Sequence, residues 1–265
     1  MRLEHGHQST RRFLRVTRRF AAVGFAVLAC LSEYLVNALT GRTSLLHRID
    51  VLHRWSARVL PWLGVSVAGH GTVPAGGLVV SNHLSYLDIL VFSAIAPCVF
   101  VAKREIKTWP GIGWVATLAG TIYIDRSRPD NTHSIQPQMA AALASGVRVV
   151  LFPEGTSSNG RQVLPFRSSL FQPAIENRTP ITAACISYEI KDGDPAVDVC
   201  YYGDMVLGPH AAKLFGKGGV TANLRFGAGA KVFGDRKEAA RQLYEEVSAL
   251  RNQPAALISG AGVRV

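Results

Sequence analysis

The sequence predicts an α/β domain behind a helical N-terminal segment, and three observations carry that reading. Short β-branched runs at residues 77–81, 98–102 and 147–152 have the length and composition of buried strands. Between them lie stretches too long for strands, at residues 84–96 and 132–145, the second stopped by Gly146. Strands that alternate with helices define the α/β class. Ahead of them, Arg11, Arg12, Arg15, Arg18 and Arg19 abut an apolar run at residues 20–39.

In chain order, residues 1–10 are polar and are expected to be disordered. The run at 20–39 is long enough to cross a bilayer as a helix, with Glu33 and Asn37 interrupting its second half. It has the basic flank of a signal peptide but no small-residue cleavage site, so retention is expected. A second apolar stretch at 51–67 mixes His53, Arg54 and Arg58 with Leu52, Trp55, Leu60, Trp62 and Leu63, a composition suited to a headgroup layer. The alternative is that both helices pack on the domain. Residues 73–77 form the turn into the core.

Residues 121–124 read as a strand that delivers Asp125, Arg126 and Arg128 to its end. Residues 164–176 begin as a turn at Pro165 and continue as a helix. Further strands are expected at 180–188, 196–202 and 221–226, with a basic loop carrying Lys213 and Lys217 between the last two. An amphipathic helix follows at 236–251. The resulting division is an N-terminal membrane-associating segment (1–70), an α/β domain (71–252) and a loosely ordered tail (253–265).

Chemistry concentrates in Asn82-His83-Leu84-Ser85-Tyr86-Leu87-Asp88, where the first strand ends and a helix begins. His83 is the side chain best suited to take a proton near neutral pH, provided a partner fixes its tautomer. Asp88 is that candidate partner. On a regular helix, residues five apart point about 140° away from each other, so the two meet only if His83 precedes the helix. Ser85-x-x-Asp88 is also an N-capping pattern, which would leave His83 an ordinary loop residue.

The formal net charge of +11 calls for an anionic partner. Because the basic residues flank apolar helices, that partner is a membrane surface and not a nucleic acid. Cys30, Cys98, Cys185 and Cys200 form no C-x-x-C pair and no metal-ligand spacing, so neither zinc nor a disulfide framework is expected.

The heptapeptide resembles motif I, Asn-His-x-x-x-x-Asp, of the glycerolipid acyltransferases, which include 1-acylglycerol-3-phosphate acyltransferases. Gly120-Thr121-Ile122-Tyr123-Ile124-Asp125-Arg126 resembles motif II, with Tyr123 where phenylalanine is usual. Phe152-Pro153-Glu154-Gly155-Thr156 matches motif III, and the stretch from Thr179 and Pro180 to Ala184 is a weaker match to motif IV. Four ordered motifs carry far more weight than one.

The resemblance implies a mixed, mostly parallel sheet flanked by helices, behind an N-terminal membrane-binding helical segment. It implies acyl transfer from acyl-CoA or acyl-carrier protein to a lysophospholipid, with lysophosphatidic acid as the expected acceptor. His83 and Asp88 would be catalytic, and Asn82, Lys103, Gly120, Arg126, Glu154, Gly155, Thr156 and Pro180 would bind substrate. A thioester is already activated, so no metal or other cofactor is expected. A bare salt bridge from Arg126 to Asp125 or Asp130 is the plainer alternative to a phosphate contact.

In one departure, Ser157, Ser158, Asn159 and Gly160 stand between Thr156 and Arg161, where the family usually places arginine directly. If that arginine holds a phosphate, its displacement makes lyso-ornithine lipid the alternative acceptor. The expected location is the cytoplasmic face of a membrane, since a single span would put the domain on the wrong side for cytosolic donors. Rival readings are a hydrolase using Ser85 or Ser157, which lacks a Gly-x-Ser-x-Gly elbow, and a non-catalytic peripheral protein that binds anionic lipid.

Overall fold

The structure is a computed structural model and describes residues 2–124 and 132–253 of the 265-residue chain. Its strands are β1 (Val65–His70), β2 (Gly77–Ser81), β3 (Cys98–Lys103), β4 (Ile122–Ile124), β5 (Arg148–Leu151), β6 (Ile181–Ile190) and β7 (Val220–Phe226). The helices are α1 (Arg2–Leu39), α2 (Leu45–Trp62), α3 (Leu87–Ile95), α4 (Ile112–Leu118), α5 (Thr132–Ala144), α6 (Gln172–Glu176), α7 (Pro195–Asp198), α8 (Leu207–Phe215) and α9 (Arg236–Asn252).

The strands form one sheet in the order β1-β7-β6-β2-β5-β3-β4. Every neighbouring pair is parallel except β6 with β7. A strand covered on both faces must be apolar throughout, and β2 shows why. Leu78 and Val80 pack with Met139, Ala174 and Leu243 of α5, α6 and α9, whereas Val79 packs on the other face with Val91, Leu214 and Phe215 of α3 and α8. Val149, Val150 and Leu151 of β5 divide in the same way. Each such buried side chain contributes about 1.5–3 kcal/mol.

The sheet topology places the chemistry. β2 lies between β5 and β6, with Leu78 opposite both Val149 and Ile181. The segments leaving the C-terminal ends of β2 and β5, residues 82–88 and 152–156, are therefore neighbours. In a parallel sheet these ends are where ligand sites form. β6 enters level with the start of β2, and its Ala184 is already opposite Ser81. Its second half therefore runs on past the end of β2.

Several sequence expectations change. Residues 2–39 form one helix, so the disorder expected at 1–10 is not found at 2–10, and Met1 lies outside the described residues. The apolar stretch at 51–67 does not stay helical: α2 ends at Trp62 with Leu63 as its C-cap, Gly64 takes a φ of 73°, and the chain enters edge strand β1. Residues 196–202 are not a strand. Pro195 opens a short helix there, and Asp194 caps it by accepting from the Ala196 amide at 2.9 Å.

The expected basic loop is α8 and its flank. Lys213 and Lys217 pair with the two oxygens of Asp198 at 2.9 Å each. Burial raises the Asp198 carboxyl, but these two ammonium groups outweigh it and hold the group down to about 2.

Two arginines of the N-terminal cluster are likewise engaged within the molecule and do not point at a headgroup layer. Arg15 donates to Gly216 O at 2.9 Å, and Arg19 donates to Phe215 O and Lys217 O at 3.0 and 2.8 Å. Cations belong at this C-terminal helix end, where carbonyls lack intrahelical donors. Glu33 does not break the apolar run. It accepts from Trp55 Nε1 at 2.8 Å and pairs with Arg54, tying α1 to α2.

The four cysteines are buried and unpaired. Burial pushes the thiols of Cys98, Cys185 and Cys200 up to about 12, so none is a ready nucleophile.

Candidate active site

After β2 the chain makes a short turn before α3 begins at Leu87. His83 therefore lies outside the helix and Asp88 within its first turn, which brings the two side chains together. His83 Nδ1 donates to Asp88 Oδ2 at 2.7 Å. A hydrogen on Nδ1 leaves Nε2 as the basic nitrogen.

The same Oδ2 accepts from the amides of Leu84 and Ser85 at 2.7 and 3.1 Å. The capping pattern is thus half realised. Asp88 does gather amides of the turn, but the Ser85 hydroxyl is buried and has no hydrogen-bond partner. A fully buried, unactivated Ser85 is no hydrolytic nucleophile.

Asp88 Oδ1 accepts from the Tyr188 hydroxyl at 2.6 Å. Tyr188 sits on the overrunning half of β6, and both it and Asp88 are buried. Burial, with Asp88's charge adding to it, holds the phenol well above its usual range, so it remains a neutral donor. The sequence reading missed Tyr188.

The His83 ring stacks on Phe152, with centroids 4.2 Å apart and planes at 16°. Phe152 rests in turn on Phe92 and Phe100. The His83 ring is clamped between the Asp88 carboxylate and an aromatic wall.

Glu154 follows β5 and is buried. Its Oε1 accepts from the Leu164 amide at 3.3 Å, while Oε2 has no partner. Burial raises the carboxyl to about 8, with Asp88's charge adding to the rise and backbone amides of Leu164 and His83 opposing it. Gly155 takes a φ of 75° to close this turn, a conformation that favours glycine. Thr156, next along, is exposed.

The residues between Thr156 and Arg161 form a loop fastened to the rest of the site. Ser158 N donates to His83 O at 2.9 Å, and Ser157 Oγ donates to Tyr201 O at 2.5 Å. From α9, Arg251 Nε donates to Gly160 O at 2.9 Å.

Three expected substrate-binding residues do other work. Asn82 is buried, its amide donating to Ile186 O and accepting from Ile186 N at 2.9 Å each, so it joins β2 to β6. Gly120 closes the C-terminal turn of α4 with a φ of 88°, and a Cβ there would meet Leu45 at 2.6 Å. Pro180 precedes β6 and accepts from Leu78 N at 3.0 Å, at the opposite end of β2 from His83. Lys103 does lie at the C-terminal end of β3, opposite Ile124. Arg126, with Asp125, Arg128 and Asp130, falls outside the described residues, as does the tail at 254–265.

Among the described residues, no group of three or more His, Cys, Asp and Glu side chains is arranged to hold a metal ion.

Residues 64–187 match the Acyltransferase family. The lyso-ornithine lipid O-acyltransferase of Brucella abortus is 35% identical over 189 residues, covering 65% of this chain and 70% of that protein. That of Pseudomonas aeruginosa is 35% identical over 161 residues, covering 60% of this chain and 62% of the relative. The 1-acyl-sn-glycerol-3-phosphate acyltransferase of Neisseria gonorrhoeae is 39% identical over 120 residues, covering 45% of this chain and 47% of the relative. The chain thus spans 62% and 47% of the length of the latter two.

Among solved structures, the 1-acyl-sn-glycerophosphate (LPA) acyltransferase PlsC of Thermotoga maritima shares the fold, with a TM-score of 0.72 at 17% identity over 96% of this chain and 100% of that one. With the His83–Asp88 pair at the end of a central parallel strand, and with 70% of a relative covered at 35% identity, the chain belongs to the acyltransferase family.

Proposed function

We propose that this chain transfers an acyl group from a thioester, acyl-CoA or acyl-carrier protein, to the free hydroxyl of a membrane lysolipid. The observation that carries the reading is the 2.7 Å contact between His83 Nδ1 and Asp88 Oδ2, which leaves Nε2 free to act as a base. His83 takes the hydroxyl proton, and the resulting alkoxide attacks the thioester carbonyl. The tetrahedral intermediate expels a thiolate, which recovers the proton from the imidazolium. Asp88 orients the ring and balances its transient charge, as the carboxylate of a catalytic triad does. The acceptor is itself the nucleophile, so no acyl-enzyme forms. The thioester is already activated, so no metal or redox group is required.

Lysophosphatidic acid is the first acceptor reading, in which Lys103 and Arg126 hold the phosphate. Lyso-ornithine lipid is the second. The displaced motif III arginine favours it: Ser157 stands in the usual place, while the main chain around Arg161 is bound to Asn159 and Arg251. Purified protein supplied with each lysolipid and each thioester tests both. Turnover confined to lyso-ornithine lipid would displace the phosphate reading, and no turnover with either would overturn the proposal.

The site works at a membrane in this account. Ser9–Leu39 spans 31 residues, and its most apolar 18-residue stretch has a mean hydropathy of 1.7, long and apolar enough to cross a bilayer. It lies in the interface instead, because Arg19, Ala26, Cys30 and Tyr34 are buried along one stripe against the domain. Leu28, Leu35 and Leu39 are exposed on the opposite stripe. The cytoplasmic face is proposed because both thioesters are cytosolic.

A further inference from the structure

The outer face of α4 has a chemistry that acyl transfer does not use. Trp114 and Leu118, one turn apart, are 63 and 39% exposed, and Ile112 at the start of the helix is 41% exposed. α4 packs on the flank of α1, so closely that a Cβ at Gly111 would come within 3.0 Å of Val27 Cγ1. Its far end is fixed by Arg48 of α2, which donates to Thr117 O at 2.8 Å and to Leu118 O at 2.5 Å. The helix is therefore held rigidly beside α1, whose Leu28 and Leu35 are also exposed. Large apolar side chains left exposed on a fixed element mark an interaction site.

Two features identify the occupant. The segment leading into α4 exposes Arg104 and Lys107 beside Glu105, and the turn between α1 and α2 exposes Arg42, so cations outnumber acids on the segments that adjoin α4 and α1. Its most exposed aromatic is a tryptophan, the side chain enriched at the boundary between lipid and water. We infer that α4 is a second membrane-inserting element, seated in an anionic bilayer alongside α1. This rests on the interfacial reading of α1 given above. α4 connects β3 to β4, whose C-terminal ends border the site. Its insertion sets that border at headgroup depth, where a lysolipid arrives by lateral diffusion without leaving the membrane.

The test uses the full chain carrying Trp114→Cys labelled with an environment-sensitive fluorophore. Cys30, Cys98, Cys185 and Cys200 are all buried, which directs the label to position 114. On vesicles of phosphatidylcholine and phosphatidylglycerol, the label is expected to shift to the blue and to be quenched by spin-labelled lipid. Leu28→Cys should behave alike, while Val232→Cys should stay aqueous. Combining Trp114→Ser with Ile112→Ser should weaken partitioning roughly tenfold, about 1.4 kcal/mol, and leave turnover of a detergent-dispersed acceptor unchanged.

If the label at 28 embeds while that at 114 stays in water, the role of α4 is overturned and the interfacial α1 stands. If neither embeds, both fall. A label at 114 that is shielded only by a second copy of the chain at raised protein concentration makes the patch a protein contact, which also overturns the proposal.

Discussion

Two buried carboxyls flank His83, and they are held in opposite ways. Asp88 accepts four hydrogen bonds, from His83, Leu84, Ser85 and Tyr188. Glu154 keeps one oxygen without a donor, and burial raises it to about 8. Burial alone therefore does not decide how firmly a carboxyl is held. The number of donors brought to it does, because each hydrogen bond replaces water that the charge has lost. Asp88 sits at a turn that supplies amides, with a tyrosine reaching in from a strand that overruns its neighbour. Glu154 sits on a glycine-closed turn that supplies few.

Breaking the Asp88 side should have the largest effect. Asp88→Asn keeps the shape but lets an amide face Nδ1, favouring the wrong tautomer, so kcat should fall by about 10³-fold or more with the fold intact by circular dichroism. Removing one donor is gentler. Tyr188→Phe leaves Asp88 Oδ1 unsatisfied and should lower kcat about tenfold with KM little changed. A change confined to KM would show that Tyr188 serves acceptor binding and not the base.

Glu154 sharpens the contrast through pH. Its folded value of about 8 lies above the ordinary 4.5, so the folded state binds the extra proton between those values. Its contribution to stability is full below about 4.5 and is lost as pH rises through about 8. Glu154→Gln should flatten that part of the stability curve measured by denaturant melts at stepped pH. An unchanged slope would mean the carboxyl is already ionised in the fold. The smallest expected effect is at the strap behind this turn: Arg251→Ala frees Gly160 O and should cost about 1 kcal/mol in chemical denaturation.

The sequence made the class and the His83–Asp88 contact legible for a physical reason. Runs buried on both faces must be apolar, so β2, β3 and β5 announce themselves. A His and an Asp at a strand-to-helix junction are likewise local features. Tyr188 was not legible. Alternation puts it on the same sheet face as Ala184 and Ile186, but only the register of β6 on β2 shows that it reaches Asp88. The same register explains Pro180, which immediately precedes the strand that carries Tyr188 and so lies at its other end. The Lys213, Lys217, Arg15 and Arg19 charges misled because their partners, Asp198 and the end of α8, are remote in sequence or lie on a helix whose position composition does not specify.

The most direct test of the central claim is transfer of labelled acyl groups to lysophosphatidic acid and lyso-ornithine lipid by the wild-type chain and by His83→Ala. If His83 is the base, the variant should lose about 100-fold or more of the turnover while still binding vesicles. Turnover that survives in His83→Ala would contradict the account, because the Asp88 and Tyr188 network would then be holding a histidine that the reaction does not use.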